Sequence, residues 1–206
     1  TQTKGTEIGA GISYVFPKIL YTMPNGVDQK CEKEALGPYL FFRTDKVNPI
    51  VLGFGMYSPF ARVSDWSVDS ANYFGPLKSK IVRVDYTPTA AYKINSQLSV
   101  GIGFTLASAD EEWQNPAGPA TTYKDKSNGY GYGGTIGILY QVSDKVNVGT
   151  VYRSRMNIKL EGNAQLITPG PVLSDDFNLN WHFPSTLGIG LSYKPKDNLL
   201  LAFDSN

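Results

Sequence analysis

The sequence predicts an all-β protein: an antiparallel, up-and-down transmembrane β-barrel, present in part. Three observations lead there. Apolar residues recur at every second position, that pattern runs too long for ordinary strands, and short polar turns alternate with long polar connections. The first two are clearest from Gly129 to Gly162, which reads GYGYGGTIGILYQVSDKVNVGTVYRSRMNIKLEG. Its even positions carry Tyr130, Tyr132, Ile136, Ile138, Tyr140 and Val142, then Val146, Val148, Tyr152, Met156, Ile158 and Leu160. Its odd positions are small, polar or charged: Gly131, Gly133, Thr135, Gly137 and Gln141, then Asn147, Gly149, Arg153, Arg155, Lys159 and Glu161. Period two marks a half-apolar strand, not a helix. Ser143-Asp144-Lys145 turns the chain, so the two strands form an antiparallel hairpin. Soluble strands run to about 5–6 residues, and a tilted strand crosses a bilayer in about 9–11. Both strands of this hairpin exceed that, so they cross the membrane and project beyond it. Their even-numbered side chains, from Tyr130 to Leu160, are expected to face lipid.

The same alternation recurs along the chain. Ile8, Ala10, Ile12, Tyr14 and Phe16 alternate with Gly9, Gly11 and Ser13. Ile50, Leu52, Phe54 and Met56 alternate with Val51, Gly53, Gly55 and Tyr57. Val82, Val84 and Tyr86 alternate with Arg83, Asp85 and Thr87, and Leu98 to Leu106 follows the same rule. Phe177, Leu179, Trp181 and Phe183 continue in one phase as Leu187, Ile189, Leu191 and Tyr193. A last strand opens at Asn198 and runs to Asn206. Short polar turns fall at Thr44–Asn48, Lys93–Gln97, Ser143–Lys145 and Lys194–Asn198. Long connections are expected at Thr22–Gly37, Ser58–Ser79, Ser108–Asn128 and Gly162–Asp176. In an outer-membrane barrel the short turns are periplasmic and the long loops extracellular. The pattern gives about eight strands and the start of a ninth, and an exposed edge is untenable in lipid. Part of a larger barrel is therefore expected, one that does not close on these residues alone.

The 206 residues carry a formal net charge of +1, which suits one domain over 1–206 and gives no reason to expect a nucleic-acid partner. A mean hydropathy of −0.22 does not argue against a barrel, because its strands hide apolar residues at alternate positions. No apolar run of about 18 residues suggests a helical span. No signal peptide is visible, so the chain reads as mature, trimmed or cytosolic. Cys31 is the only cysteine, so neither an internal disulfide nor a metal cluster is expected, and it reads as an incidental loop thiol. No cofactor motif occurs.

GYGGTIGILYQVSDKVNVGTVYRSRMNIKLEGN resembles the FadL/TodX family of outer-membrane transporters for hydrophobic compounds. The likeness lies in Gly137-Ile138-Leu139-Tyr140, Val151-Tyr152-Arg153-Ser154 and Glu161-Gly162-Asn163. Three further stretches fit: Asn48 to Phe60, Leu98 to Phe104, and Trp181-His182-Phe183-Pro184-Ser185-Thr186. The resemblance implies a fourteen-stranded barrel with an N-terminal plug; neither the plug nor the later strands is visible in residues 1–206. It also implies passive uptake of fatty acids or aromatic hydrocarbons. An extracellular groove binds the hydrophobic molecule, which leaves through a gap in the barrel wall. The implied partners are outer-membrane lipid, lipopolysaccharide and the hydrophobic ligand, and a monomer is expected. The alternative is a structural or adhesive outer-membrane barrel without transport. A soluble sandwich is the remaining reading.

Candidate residues follow. Gly53, Gly55 and Pro59 lie on the strand resembling the family's kinked strand; Gly weakens a ladder and Pro cannot donate to one, so a wall opening is expected there. Phe54, Met56, Tyr57, Phe60 and Trp66 are apolar candidates for the ligand groove, and an interfacial girdle suits Tyr57 equally and Trp66 less well. Arg83, Asp85, Arg153, Arg155, Lys159 and Glu161 share the inward phase; such a ring holds a carboxylate or neutralises itself. Asp110, Glu111 and Glu112 read as a loop base that disfavours a fatty carboxylate. His182, the only histidine, reads as a lumenal polar residue. Neither a nucleophile motif nor paired-His spacing is present, so no enzyme is expected.

Overall fold

The computed structural model describes residues 5–22, 24, 26, 28–31, 33–66, 77–118, 120–196 and 198–205. Its strands are β1 (Thr6–Val15), β2 (Ile19–Thr22), β3 (Asp28–Cys31), β4 (Ala35–Val47), β5 (Ile50–Asp65), β6 (Lys78–Lys93) and β7 (Leu98–Gly118). They continue as β8 (Thr121–Ser143), β9 (Val146–Arg153), β10 (Met156–Ile167), β11 (Leu173–Phe183), β12 (Thr186–Lys196) and β13 (Leu199–Ser205). Eleven form one curled antiparallel sheet, ordered β1-β4-β5-β6-β7-β8-β9-β12-β13, with β10 paired to β8 and β11. β2 and β3 form a separate hairpin.

β9 and β10 are two halves of one strand path beside β8, and β12 and β11 are the two halves of the next. The expected eight strands and a start are thus β1, β4, β5, β6, β7, β8, β9/β10 and β11/β12, with β13 last. β4 is the least legible in sequence, because Phe41 and Phe42 put rings on both of its faces. The short turns stand where the sequence put them, one of them on a cis Asn48–Pro49 bond.

Within the membrane-crossing half the alternation holds. Cross-strand partners share a face, so register traces a row around the wall. Leu52, Ala90, Ile102, Ile136, Tyr152 and Leu187 make one such row. Ile102, Ile136 and Leu187 are well exposed on it. Tyr132 and the Phe104 ring stacked on it mark one rim, while Tyr140 marks the other. Eight residues at about 3.3 Å and a tilt of about 40° give roughly 20 Å, close to the apolar band of an outer-membrane barrel.

Above Tyr132 the apolar stripe changes face. β9 pairs Arg153 with Thr135, whereas β10 pairs Ile158 with Gly131 and Leu160 with Gly129. That is a slip of one residue. Ser154 and Arg155 stand opposite Gly134: the Ser154 N–H donates to the Gly134 carbonyl at 2.8 Å, and the Gly134 N–H donates to Ser154 Oγ at 2.9 Å. One extra residue inverts every side chain beyond it. β11 and β12 follow, interrupted at Pro184-Ser185, where proline supplies no donor. Met156 stays opposite Phe183 and Arg153 opposite Thr186.

Met156, Ile158 and Leu160 therefore do not face lipid as predicted. They are 5%, 0% and 0% exposed on the concave side, in a cluster with Ala107 and Ala109, packed by Leu179, Trp181 and Phe183. Lys159 and Glu161 leave the inward phase for the same reason and pair with each other at 2.5 Å in water. Phe177 to Phe183 likewise point opposite to Leu187 to Tyr193. A second slip lies in β5. Tyr57 faces Asp85 but Phe60 faces Arg83, so Ser58-Pro59 contains the extra residue.

Two expected loops are strand instead. Ser108–Asn128 is the upper part of β7 and β8, strands of 21 and 23 residues that turn at Gly118 (φ 146°) and Ala120 (φ 55°). Its outward positions carry Asp110, Glu112, Lys124 and Lys126, and the small inward residues Ala107, Ala109, Gly129 and Gly131 lie at its base. Gly162–Asp176 holds the ends of β10 and β11. Thr22–Gly37 contains β3 and the start of β4. Of the Ser58–Ser79 connection, residues 67–76 lie outside the described ones, as does Asn206.

Candidate functional site

The concave face carries a cavity in two adjoining parts that share lining residues. Its lower part, about 740 Å³, is lined largely by small residues such as Ser99, Gly101, Gly137, Asn147 and Gly190. Its upper part, about 890 Å³, is lined by Phe41, Tyr57, Pro59, Met156, Phe183 and Pro184 together with Arg43, Arg83, Asp85 and Arg153. Thr89, Thr135 and Arg153 border both parts. A volume near 900 Å³ with mixed apolar and polar walls suits a small organic ligand.

Arg83 and Asp85 sit at the upper edge. Arg83 Nε and Nη2 donate to the two Asp85 oxygens at 2.7 and 2.8 Å. The two side chains are 12% and 5% exposed. The guanidinium lies 4.4 Å from the centre of the Phe183 ring, which ties β6 to β11 across the curl. A fork spent on Asp85 and a ring face is not free for a ligand carboxylate. The predicted charge group is thereby divided. Arg83 and Asp85 neutralise each other; Arg153 lines both parts of the cavity, and Arg155 stands exposed in the bulge.

The wall beside Pro59 is interrupted. β4 and β5 pair only from Val47–Ile50 to Leu40–Met56. Beyond that, β4 continues against β1 and β5 continues against β6, past the Ser58-Pro59 bulge. A cavity of about 330 Å³ lies in this gap, lined by Val15, Ile19, Leu36, Tyr39, Tyr57, Ser58 and Arg62. Tyr57 lines both the gap and the upper cavity. Gly53 leaves room for Thr89 Oγ1, which would stand 2.5 Å from an added Cβ; Gly55 sits against the Phe41 ring.

Of the apolar candidates, Tyr57 and Phe54 border the upper cavity. Phe60 shares the row of Arg83 and is 44% exposed. Met56 lies opposite Leu40 and Tyr86, on the other face from Tyr57. Trp66 is buried, with its ring edge-on to Tyr21 and its backbone N–H donated to the Leu77 carbonyl. Met156, Phe183 and Arg43 were not anticipated: the first two need the bulge to bring them inside. Cys31 is buried and accepts the Asp65 N–H at 3.2 Å. His182 is exposed beside Asn157 Oδ1 at 2.8 Å. Asp110 and Glu112 point out of the ribbon, Glu112 to Lys126 at 3.4 Å, and only Glu111 of that trio faces inward. The trio is strand, not a loop base, and of its three carboxylates only Glu111 is placed on the concave side.

An outward apolar belt between aromatic rims and a small-residue lumen define an outer-membrane β-barrel protein. The chain belongs to the outer membrane protein transport protein family (OMPP1/FadL/TodX), whose profile matches residues 1–204. No curated protein matches it. Among solved structures, a TodX deltaS2S3 mutant monoaromatic hydrocarbon channel superposes with a TM-score of 0.81 at 17% identity, over 98% of this chain and 61% of that one. The Ralstonia pickettii toluene transporter TbuX gives 0.76 at 15% identity, over 98% and 62%. A Pseudomonas aeruginosa FadL homologue gives 0.73 at 16% identity, over 97% and 57%. This chain spans about three fifths of each of these, and at such identities the likeness concerns the fold alone.

Proposed function

We propose that the protein admits hydrophobic compounds passively across the outer membrane, without catalysis. The ligand is taken into the upper cavity and leaves sideways through the wall between β4 and β5. The observation that carries this reading is the end of the β4–β5 ladder at Leu40–Met56, beside the Ser58-Pro59 bulge, where two cavities share Tyr57. A molecule held between Phe41, Tyr57, Met156 and Phe183 thus lies next to a break in the backbone hydrogen bonding, where Gly53 and Gly55 add no side chain of their own. Two solved relatives are described as monoaromatic hydrocarbon channels and a third as a toluene transporter, which supports a neutral aromatic ligand.

The test is toluene uptake into liposomes carrying the full-length protein. Deleting Pro59 removes the extra residue of β5 and lets the ladder close. Uptake is expected to fall to that of empty liposomes while the barrel still folds. Unchanged uptake in the folded deletion variant refutes the exit.

A further inference from the structure

Above the apolar cluster, the inward face of the β7–β8 ribbon carries buried oxygens without hydrogen-bond partners. Three successive rows place Glu111 opposite Ser127, Trp113 opposite Asp125, and Asn115 opposite Tyr123. Ser127 Oγ donates to Glu111 Oε2 at 3.2 Å. Asp125 is 6% exposed and accepts the Tyr123 hydroxyl, yet its Oδ1 is buried with no partner. Asn115 Oδ1 is buried and unpartnered too. Ser79, wholly buried opposite Trp113, leaves its Oγ unpartnered. Buried acceptors are ordinarily met, so this face calls for a donor.

The charges facing the site are one-sided. β7 contributes Glu111, β8 contributes Tyr123 and Asp125, and β11 contributes Asp175, which shares the Asp125 row through Ala164. β6 contributes only Ser79 and Ile81, and β10 only Gly162, Ala164 and Leu166. β5 brings the buried Ser64 and, among the described residues, the one cation on these rows, Arg62, which is exposed and separated from Glu111 by Ile81. Lys124 and Lys126 alternate with Tyr123 and Asp125, so they point the other way. Burial raises the Glu111 and Asp125 carboxyls above the ordinary carboxylate range, and the charge of Asp125 raises Glu111 further. Among the described residues no group of three ligands could hold a metal.

We propose that Glu111, Asp125 and Asn115, flanked by Trp113 and Tyr123, form a subsite for the ammonium head of a hydrophobic amine at the outer end of the groove. An ammonium supplies three donors and the missing positive charge, and aromatic faces attract it. Its apolar body lies on Phe177, in the Glu111 row, and on Leu179 in the next row inward. This rests on the transport reading, which gives the body a groove to enter.

The test compares benzylamine, benzyl alcohol, toluene and benzoate, four probes of one size, binding to the reconstituted full-length protein. Benzylamine is expected to bind about tenfold tighter than benzyl alcohol, the equivalent of about 1.4 kcal/mol, and benzoate weakest. The Glu111→Gln/Asp125→Asn double variant is expected to lose that tenfold and keep its toluene uptake. In the unaltered protein, acidification to about pH 4 protonates the carboxyls, leaves the amine charged, and abolishes the preference. Equal binding of benzylamine and benzyl alcohol overturns the proposal, and so does a preference that survives the variant or the acid. Absence of toluene uptake by the unaltered protein refutes the transport reading instead, and the amine ranking is still judged by binding.

Discussion

Ile158 should be buried although Ile138, of the same parity, faces lipid. The bulge sets two residues against Gly134, so Met156, Ile158 and Leu160 stand on the concave side while Asn157, Lys159 and Glu161 stand outside. Those three apolar side chains are essentially buried, and each contributes about 1.5–3 kcal/mol by burial. Together they supply about 5–9 kcal/mol, comparable with the whole stability of many domains, at about 5–15 kcal/mol. Ile158→Asp should therefore retain the membrane-crossing half and lose the order of β10 and β11. The assay is labelling of single cysteines by a water-soluble maleimide on intact cells carrying the full-length protein. In the parent, Lys159→Cys should label and Ile158→Cys should not. Deleting Ser154 removes the extra residue while Arg153 stays opposite Thr135 and Ile158 opposite Gly131, so the pattern should survive the deletion. Rapid labelling of Ile158→Cys in the parent refutes the inversion. A pattern reversed by the deletion refutes the register.

Three other outcomes are expected. Ile138 is 44% exposed on the lipid face, so Ile138→Arg should cost about 2–4 kcal/mol in reversible unfolding from bilayers; no change would place Ile138 off the lipid face. Arg83→Ala strands a buried Asp85 and should cost about 3–5 kcal/mol, whereas Arg83→Leu/Asp85→Leu should recover most of it; equal losses in both variants would show that the ion pair is not what matters. Glu111 and Asp125, both beyond the membrane belt, have carboxyls raised chiefly by burial. The folded ribbon therefore holds protons that the unfolded chain releases, and stability falls as pH rises from the ordinary carboxylate range through the raised values. Glu111→Gln should raise the unfolding midpoint at neutral pH and not at acid pH, and a loss of stability at neutral pH would contradict this sign.

The sequence by itself determined the class. Period-two alternation too long for soluble strands, short turns at regular intervals and aromatic rims suffice for a membrane barrel, because side-chain direction along a strand follows residue parity alone. The same parity made the Tyr130-to-Leu160 stripe look like one lipid-facing surface. Only the tertiary structure decided that it is two surfaces. A bulge is a relation between two strands, and whether Ser154 and Arg155 oppose one glycine or two residues is set by pairing with β8, not by local composition. The same holds for Ser58-Pro59. Proline marks the place, but the end of the β4–β5 ladder depends on which partner each strand keeps. The polar ribbon of β7 and β8 reads as loop because charged and polar residues dominate it. It is a strand because the pairing partners of Glu112 and Ala109 are Lys126 and Gly129, a choice made only when the sheet curls and buries its inner face.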